Sequence, residues 1–504
     1  MSAPSQPPVG FITIIAKNYL AQARVLMAAI EEHHPGAPRL VVLACEPEGC
    51  FDPEHEPFRM IRSSDLDLPD SRWFHFRYDT LELMTAVKPF AMRKALQMLG
   101  VESVIYLDAD MRLYAPLDPV LDALSEASIV LTPHLLSRVD SDGLAIERQL
   151  LRTGAYNLGF VAVRGNGIGK SFLSWWCDRL AEHCLIDLAG GLFVDQKWAD
   201  LVPGMFDGVR ILRAPGLNVA WWNLRERPLS AEGGSHRAAG EPLYLFHFSG
   251  FDPEQPESLS RHATSDRAAE LGEARPLLAD HAQLLLSSGY IESSVWSPAF
   301  ESFEDGSAIP PAVRSVLRLE PALQQAIDDP FSMPGREKIF EFWNRQVRAP
   351  GGAGFLTRLA YRIYQSEPQI QAAMPNVFGV HREAYVAWFV SEGAARYGLP
   401  PELTAPLKLT SLDLGQALLT PLALRIYESR KDLQRKFPDP FGEDALGLLT
   451  WLLTYGENEC DIDEANRQAF LREFERLVGQ LPSPLQRWRR RGRRALLAHS
   501  AGHR

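Results

Sequence analysis

Asp108 and Asp110 stand two residues apart directly after Val104-Ile105-Tyr106-Leu107, a run of β-branched and aromatic residues. Such a run reads as a buried strand that delivers both carboxylates to its C-terminal mouth. In open α/β sheets, ligands bind just outside the carboxyl ends of the strands. Two hard oxygen donors there suit a divalent cation, and a cation there suits a diphosphate. The same spacing also fits an acidic turn after a strand, so the pair gains meaning only in company.

Four further stretches supply that company. Lys88, in Thr85-Ala86-Val87-Lys88-Pro89, opens the helix before the Asp108 strand, where its cation can meet a phosphate or a sugar hydroxyl or simply be solvated. In Asn157-Leu158-Gly159 the glycine allows close backbone approach, and the amide can donate and accept to hydroxyls; a plain turn is the alternative. Val194-Asp195-Gln196 sets a carboxylate beside an amide at the start of a helix, where Asp195 could equally be a cap. Phe246-His247-Phe248-Ser249-Gly250 ends a strand on a histidine, and an imidazole can complete an oxygen-rich site for manganese.

The elements that must position these groups alternate. Val9 to Ala16 reads as a first buried strand, Tyr19 to His33 as a helix stopped by Pro35 and Gly36, and Leu40 to Ala44 as the next strand. That unit implies parallel pairing through a right-handed crossover. A helix over Pro89–Leu99, strands over Ala127–Thr132 and Tyr156–Val163, a helix over Phe172–His183 and short strands over Val209–Leu212 and Tyr244–His247 continue the pattern. Leu229 to Gly240 reads as a Ser/Gly/Ala loop. The expected fold class is α/β, a mixed sheet flanked by helices on both faces. Past about Asp252 helical periodicity takes over, as in Ala312–Leu317, Glu337–Gln346, Phe355–Tyr364, Arg382–Arg396 and Asp444–Thr454. The expected division is a catalytic domain over 1–265, a linker over 266–309, a mostly α-helical domain over 310–486 and a basic tail over 487–504.

With 504 residues, 46% of them hydrophobic and 23% charged, the chain has a globular composition and room for two or three domains. A net charge of −11 speaks against broad nucleic-acid binding. Five scattered cysteines form no C-x-x-C pair, which points to reduced thiols in a cytoplasm. The N-terminus lacks the pattern of a signal peptide, and no stretch of about 18 apolar residues suggests a membrane span. Arg487-Trp488-Arg489-Arg490-Arg491-Gly492-Arg493-Arg494 is either a solvated tail or a patch for anionic lipid, so peripheral contact with the inner face of a membrane stays open.

Taken in order, Tyr106-Leu107-Asp108-Ala109-Asp110, Asn157-Leu158-Gly159, Asp195-Gln196 and His247-Phe248-Ser249-Gly250 resemble the motifs of GT-A (Rossmann-like) fold glycosyltransferases. The resemblance is nearest to family 8, the type of glycogenin and of bacterial lipopolysaccharide galactosyltransferases, and it spans residues 9–265. It implies that Asp108, Asp110 and His247 bind Mn2+ or Mg2+, which bridges the diphosphate of a nucleotide sugar, expected to be a UDP-sugar. It places Ile14–Asn18, with Ala16 and Asn18, at the base and ribose. Lys88 takes the place of a basic residue near the donor, Asn157 faces the donor sugar, and Asp195 and Gln196 lie beside the anomeric carbon. Gly159, Ser249 and Gly250 belong to the same donor site. Two departures stand out: Leu158 replaces the family's Ala, and Phe251-Asp252-Pro253 follows Gly250 where the family continues to Lys-Pro-Trp. Help for the leaving group then falls to the metal, Ser249, Arg261 or His262.

The expected function is metal-dependent transfer of a sugar to a glycan, lipid-linked or protein acceptor in surface-glycan synthesis, with retention favoured by the resemblance. If the enzyme inverts, Asp195 is the candidate base. A nucleotide-sugar-forming nucleotidyltransferase is a competing reading, against which Ala16-Lys17-Asn18-Tyr19 lacks glycine. A catalytically silent glycan-binding protein is the other.

Overall fold

The computed structural model describes residues 8–138, 144–262, 274–298, 300–318, 320–348, 355–408, 419–438, 440 and 444–479. The basic tail lies outside the described residues. The chain divides into two compact units, Met1–Glu301 and Ser302–Arg504.

The first unit is built on a seven-stranded sheet. Its strands are β1 (Val9–Ile15), β2 (Arg39–Leu43), β3 (Arg59–Arg62), β4 (Ser103–Leu107), β6 (Ile129–Pro133), β7 (Tyr156–Arg164) and β10 (Val209–Ile211), in the spatial order β10-β6-β7-β4-β1-β2-β3. β1 runs parallel to β2 and β4, while β7 runs antiparallel to β4 and β6, so the sheet is mixed, as expected. Both its faces are covered. Ile12, Ile14, Val104 and Tyr106 face one apolar core, and Phe11, Ile15, Ile105 and Leu107 face the other, following the two-residue alternation of a strand. The periodic helix α1 (Leu20–His33) buries Leu20, Ala23, Leu26, Met27 and Ile30 on the second face. Helices α2 (Ser71–Arg77), α3 (Thr80–Ala86) and α4 (Lys88–Met98) follow, and Asp79 caps α3 in a reciprocal box with Glu82.

A short strand outside the main sheet completes the site. After β4 the chain turns through Asp108, Ala109 and Asp110 into β5 (Met111–Leu113). β5 pairs antiparallel with β14 (Leu245–His247), setting His247 opposite Met111.

Several boundaries differ from the expectations. The loop expected over Leu229–Gly240 is a hairpin of β11 (Leu229–Glu232) and β12 (Ser235–Ala238). Gly233 and Gly234 both have positive φ (57° and 82°), which is what a two-residue hairpin turn demands, so the small residues mark a turn between strands. Residues within the stretch 266–309 form helices Ala274–Ser287 and Tyr290–Ser293, and the first buries Leu277, Leu278, His281 and Leu285 in the first unit.

The second unit is mostly helical, as expected, with helices at Pro311–Leu317, Met333–Asn344, Arg358–Ser366, Pro421–Ser429, Ala445–Thr454 and Glu464–Gly479 among others. The helix expected over Arg382–Arg396 is instead Arg382–Trp388, a π-turn at Phe389–Gly393 and Ala394–Tyr397. Its core holds charge: the buried Arg358 guanidinium contacts Glu320 and Glu428, and Arg362 meets Glu428 at 2.6 Å. Paired this way the two cations and two carboxylates balance in charge, a condition for tolerating buried ions.

Candidate active site

Three elements converge at the carboxyl end of β4. The β4–β5 turn carries Asp108 and Asp110; the Asp108 amide donates to the Gly159 carbonyl of β7 at 2.8 Å, and the Phe248 amide donates to the Asp110 carbonyl at 2.8 Å. Register does the rest, because the β5–β14 pairing brings His247 over the turn. His247 Nε2 lies 3.1 Å from Asp110 Oδ1 and 3.9 Å from Asp108 Oδ2. One donor atom from each of Asp108, Asp110 and His247 falls within 4.8 Å of the others, an arrangement that fits a hard divalent cation.

Gly159 makes room for the cluster. A Cβ there would stand 2.6 Å from Met111 Cε, 2.7 Å from His247 Cε1 and 2.8 Å from Asp108 Oδ2, distances no real side chain tolerates. Its absence of a side chain thus leaves room for two of the three donors, Asp108 and His247.

The imidazole is held from behind. Asn218, buried and with φ 55°, presents its Oδ1 3.3 Å from His247 Nδ1, which leaves Nε2 for the carboxylates. The Asn218 amide also donates to Thr132 Oγ1 and to Asn157 Oδ1, both at 3.0 Å. Asn157 Oδ1 in turn accepts from the Gly159 amide at 3.1 Å. Burial opposes the charged imidazole, yet Asp110 and Asp108 win and hold His247 above its ordinary value. Burial likewise pushes Asp110 up, and the neighbouring imidazole brings it below the ordinary carboxylate range. The Tyr106 phenol donates to Asp108 Oδ1 at 2.6 Å; burial first, then that carboxylate, raises its pKa well above the usual value.

Lys88 and Asp195 lie beneath. Lys88 is 1% exposed, and its Nζ sits 2.6 Å from Asp195 Oδ2, 2.8 Å from the Leu158 carbonyl, 4.0 Å from Asp108 Oδ1 and 4.3 Å from the centre of the Tyr106 ring. A cation at the first residue of α4 works against the helix dipole, and burial works against it further. Asp195 and Asp108 overcome both and keep Lys88 above its ordinary pKa. Asp195, 2% exposed, is therefore an internal counter-ion; its side chain caps no turn, since the short helix Lys197–Leu201 starts at Gln196 without a side-chain cap.

Two cavities lie in this part of the first unit. A cavity of about 280 Å3 lies beside Asp110, lined by Asn18, Tyr19, Gln22, Gly250, Arg261 and Tyr290 among others. Within its wall Asn18 Oδ1 and Gln22 Oε1 are buried without a hydrogen-bond partner. A second cavity, of about 920 Å3, is lined by Asn157, Gln196, Ser249, His262, Trp221 and Trp222 among others. Gln196 is fixed in that wall by a 2.9 Å bond from its Nε2 to the Thr153 carbonyl. Ala16 is buried with its carbonyl accepting from the Tyr19 amide, and neither it nor Asp195 lines either of these two cavities. The structure thus brings Asp108, Asp110, His247, Gly159, Asn157, Lys88 and Asp195 into one network, and it sets Asn18 with Gly250 in the wall of one cavity and Gln196 with Ser249 in that of the other.

Sequence reasoning missed Asn218 and the Trp221-Trp222 pair. Asparagine is one of the few residues that enters the left-handed region readily, but nothing local marks that turn. Two adjacent tryptophans read equally well as core.

No family model matches the chain. It is 25% identical over 254 residues to the uncharacterized protein YfnF of Bacillus subtilis (strain 168), covering 48% of this chain and 81% of that protein. Over 258 residues it is 22% identical to YfnD of the same organism, covering 48% and 77%. Among solved structures, the galactosyltransferase LgtC in complex with donor and acceptor sugar analogs is similar at 16% identity, 54% of this chain, 96% of that chain and a TM-score of 0.30. The glycosyltransferase GlyE of Streptococcus pneumoniae TIGR4 is similar at 14% identity, 59% and 67% coverage and a TM-score of 0.32.

Proposed function

We propose that this protein is a metal-dependent glycosyltransferase that moves a sugar from a UDP-sugar to an acceptor hydroxyl, with retention, in the making of a surface glycan. The observation that carries this reading is the Asp108, Asp110 and His247 cluster at the mouth of β4, with a cavity lined by Asp110 beside it. The ordered motifs that resemble GT-A fold transferases support it.

Asp108, Asp110 and His247 would hold Mn2+ or Mg2+, and the fit rests on their three donor atoms and on the space kept by Gly159. When bound, the ion supplies positive charge against the diphosphate that departs. The smaller cavity suits the nucleoside. Tyr19 and Tyr290 offer aromatic surface, and the unpartnered oxygens of Asn18 and Gln22 can accept from ribose hydroxyls or a base N–H. Arg261 lines that cavity together with Asp110, so its guanidinium is the group placed to meet a phosphate where the Lys-Pro-Trp motif is lacking. The sugar and the acceptor belong to the larger cavity, with Gln196 in its wall. Lys88 and Asp195 act as positioning residues that fix Asp108 and the end of β7. A cytoplasmic location fits the reading, and among the described residues no helix is long and apolar enough to cross a membrane.

The test is donor hydrolysis. Purified protein with Mn2+ is expected to release nucleotide from at least one member of a panel of UDP- and GDP-sugars, and Asp110→Ala is expected to abolish the release. No release from any donor, with no thermal stabilisation by UDP plus Mn2+, would sink the reading.

A further inference from the structure

We infer that the larger cavity binds its acceptor as a pyranose ring laid against the indole of Trp221, so that the acceptor is a glycan. The inference rests on the transferase reading for the word acceptor, but the site itself is argued from its walls.

Two rings lead away from His247 of the cluster. Trp222 stands edge-on to His247, with centroids 5.3 Å apart and planes at 84°. Trp221 stands edge-on to Trp222 at 5.7 Å and 83°. Trp222 also packs on His134 at 5.5 Å, and it is 9% exposed. Trp222 is thus locked between two histidines, and it sets the position of Trp221, which is half-buried and lines the cavity. A half-buried aromatic surface two rings from a cation site has a defined distance to the reacting centre.

The rest of the wall mixes apolar side chains, Leu135, Ile146, Leu150 and Phe193, with polar ones. Gln149, Asn157, Gln196, Asn223 and Glu226 line the same cavity. An aromatic face with a polar rim complements a sugar ring, which has an apolar C–H face and a rim of hydroxyls. At about 920 Å3 the cavity is more than three times the size of its neighbour, so a donor sugar leaves room for a further ring.

The experiment uses the full chain and two direct readouts, saturation-transfer NMR and quenching of tryptophan fluorescence. The probes are methyl α-D-glucopyranoside, methyl β-D-galactopyranoside, cellobiose and farnesyl phosphate. At least one sugar is expected to bind through its ring C–H groups. Trp221→Ala is expected to weaken that binding by roughly tenfold, and Trp221→Phe to restore most of it. Thermal melting of each variant checks that it folds. Binding of no sugar, binding that Trp221→Ala leaves unchanged, or binding of farnesyl phosphate alone would overturn the inference. Sugar binding that depends on Trp221, in a protein that hydrolyses no donor, would keep the glycan site and remove the transferase reading.

Discussion

At the scale of single residues, the site is a set of charges each kept in place by a specific neighbour. Lys88 and Asp195 illustrate the cost of breaking one such pair, since both are almost fully buried at 2.6 Å. Lys88→Met leaves Asp195 without its counter-ion and is expected to destabilise the first unit by about 3–5 kcal/mol. Adding Asp195→Asn should recover a large part of that loss, because the stranded charge is then gone. Chemical denaturation of the two single variants and the double variant measures this, and additive losses would refute the pairing. Asn218 is the complementary case, where one side chain serves both stability and function. Asn218→Gly keeps a residue suited to φ 55° and removes the amide behind His247 together with its bonds to Thr132 and Asn157. Mn2+ affinity, read by isothermal titration, should fall about 10–100-fold, and the melting temperature should fall as well because buried partners lose a donor.

At the scale of elements, the strands of the site were legible and their partners were not. The carboxylates of Asp108 and Asp110 follow an apolar run, and such runs declare themselves by residue type alone. Asn157 and Gly159 were legible as types, but their work was not. Gly159 clears space for side chains from two other segments, and Asn157 braces Asn218, contacts that only tertiary structure creates. The β11–β12 hairpin is hidden because two glycines signal a loop and a tight turn alike. Asp195 carries no local sign of its ion pair, because Lys88 lies more than a hundred positions earlier. One connection gives a test. Both oxygens of Glu226 accept from the Leu136 amide (2.9 and 3.1 Å), and one also takes the Ser137 amide (3.0 Å) and hydroxyl (2.9 Å). Glu226 thereby anchors the segment after β6 along the larger cavity. Glu226→Ala should raise hydrogen exchange at Leu136 and Ser137 severalfold, leaving the strand amides of β1 and β4 protected.

At the scale of the whole molecule, acid should act first on the unit that carries the site. His75, His134 and His281 all lie in the first unit and all are buried. Burial pushes His75 and His134 down to about 4 and His281 to about 3. His75 fits its neutral state, with Nδ1 2.6 Å from the Ser71 carbonyl and Nε2 2.7 Å from Ser63 Oγ. In the unfolded chain the same imidazoles titrate near 6.5. Between about pH 6.5 and pH 4 the unfolded state therefore binds protons that the folded state refuses, and stability falls as pH falls. One imidazole contributes on the order of 3 kcal/mol across that window, a large share of the roughly 5–15 kcal/mol that holds a domain together. In the second unit the buried carboxylate of Glu428 is raised by burial even beside Arg358 and Arg362, so it takes a proton with less resistance. Hydrogen exchange at pH 7 and pH 5 should show β1, β4 and β7 losing protection before the helix at Ala445–Thr454. Replacing one imidazole isolates the cause: His75→Gln lowers stability at pH 7 but should flatten its decline between pH 6.5 and pH 5. A melting temperature that falls as steeply in His75→Gln as in the parent would place the acid response in other groups.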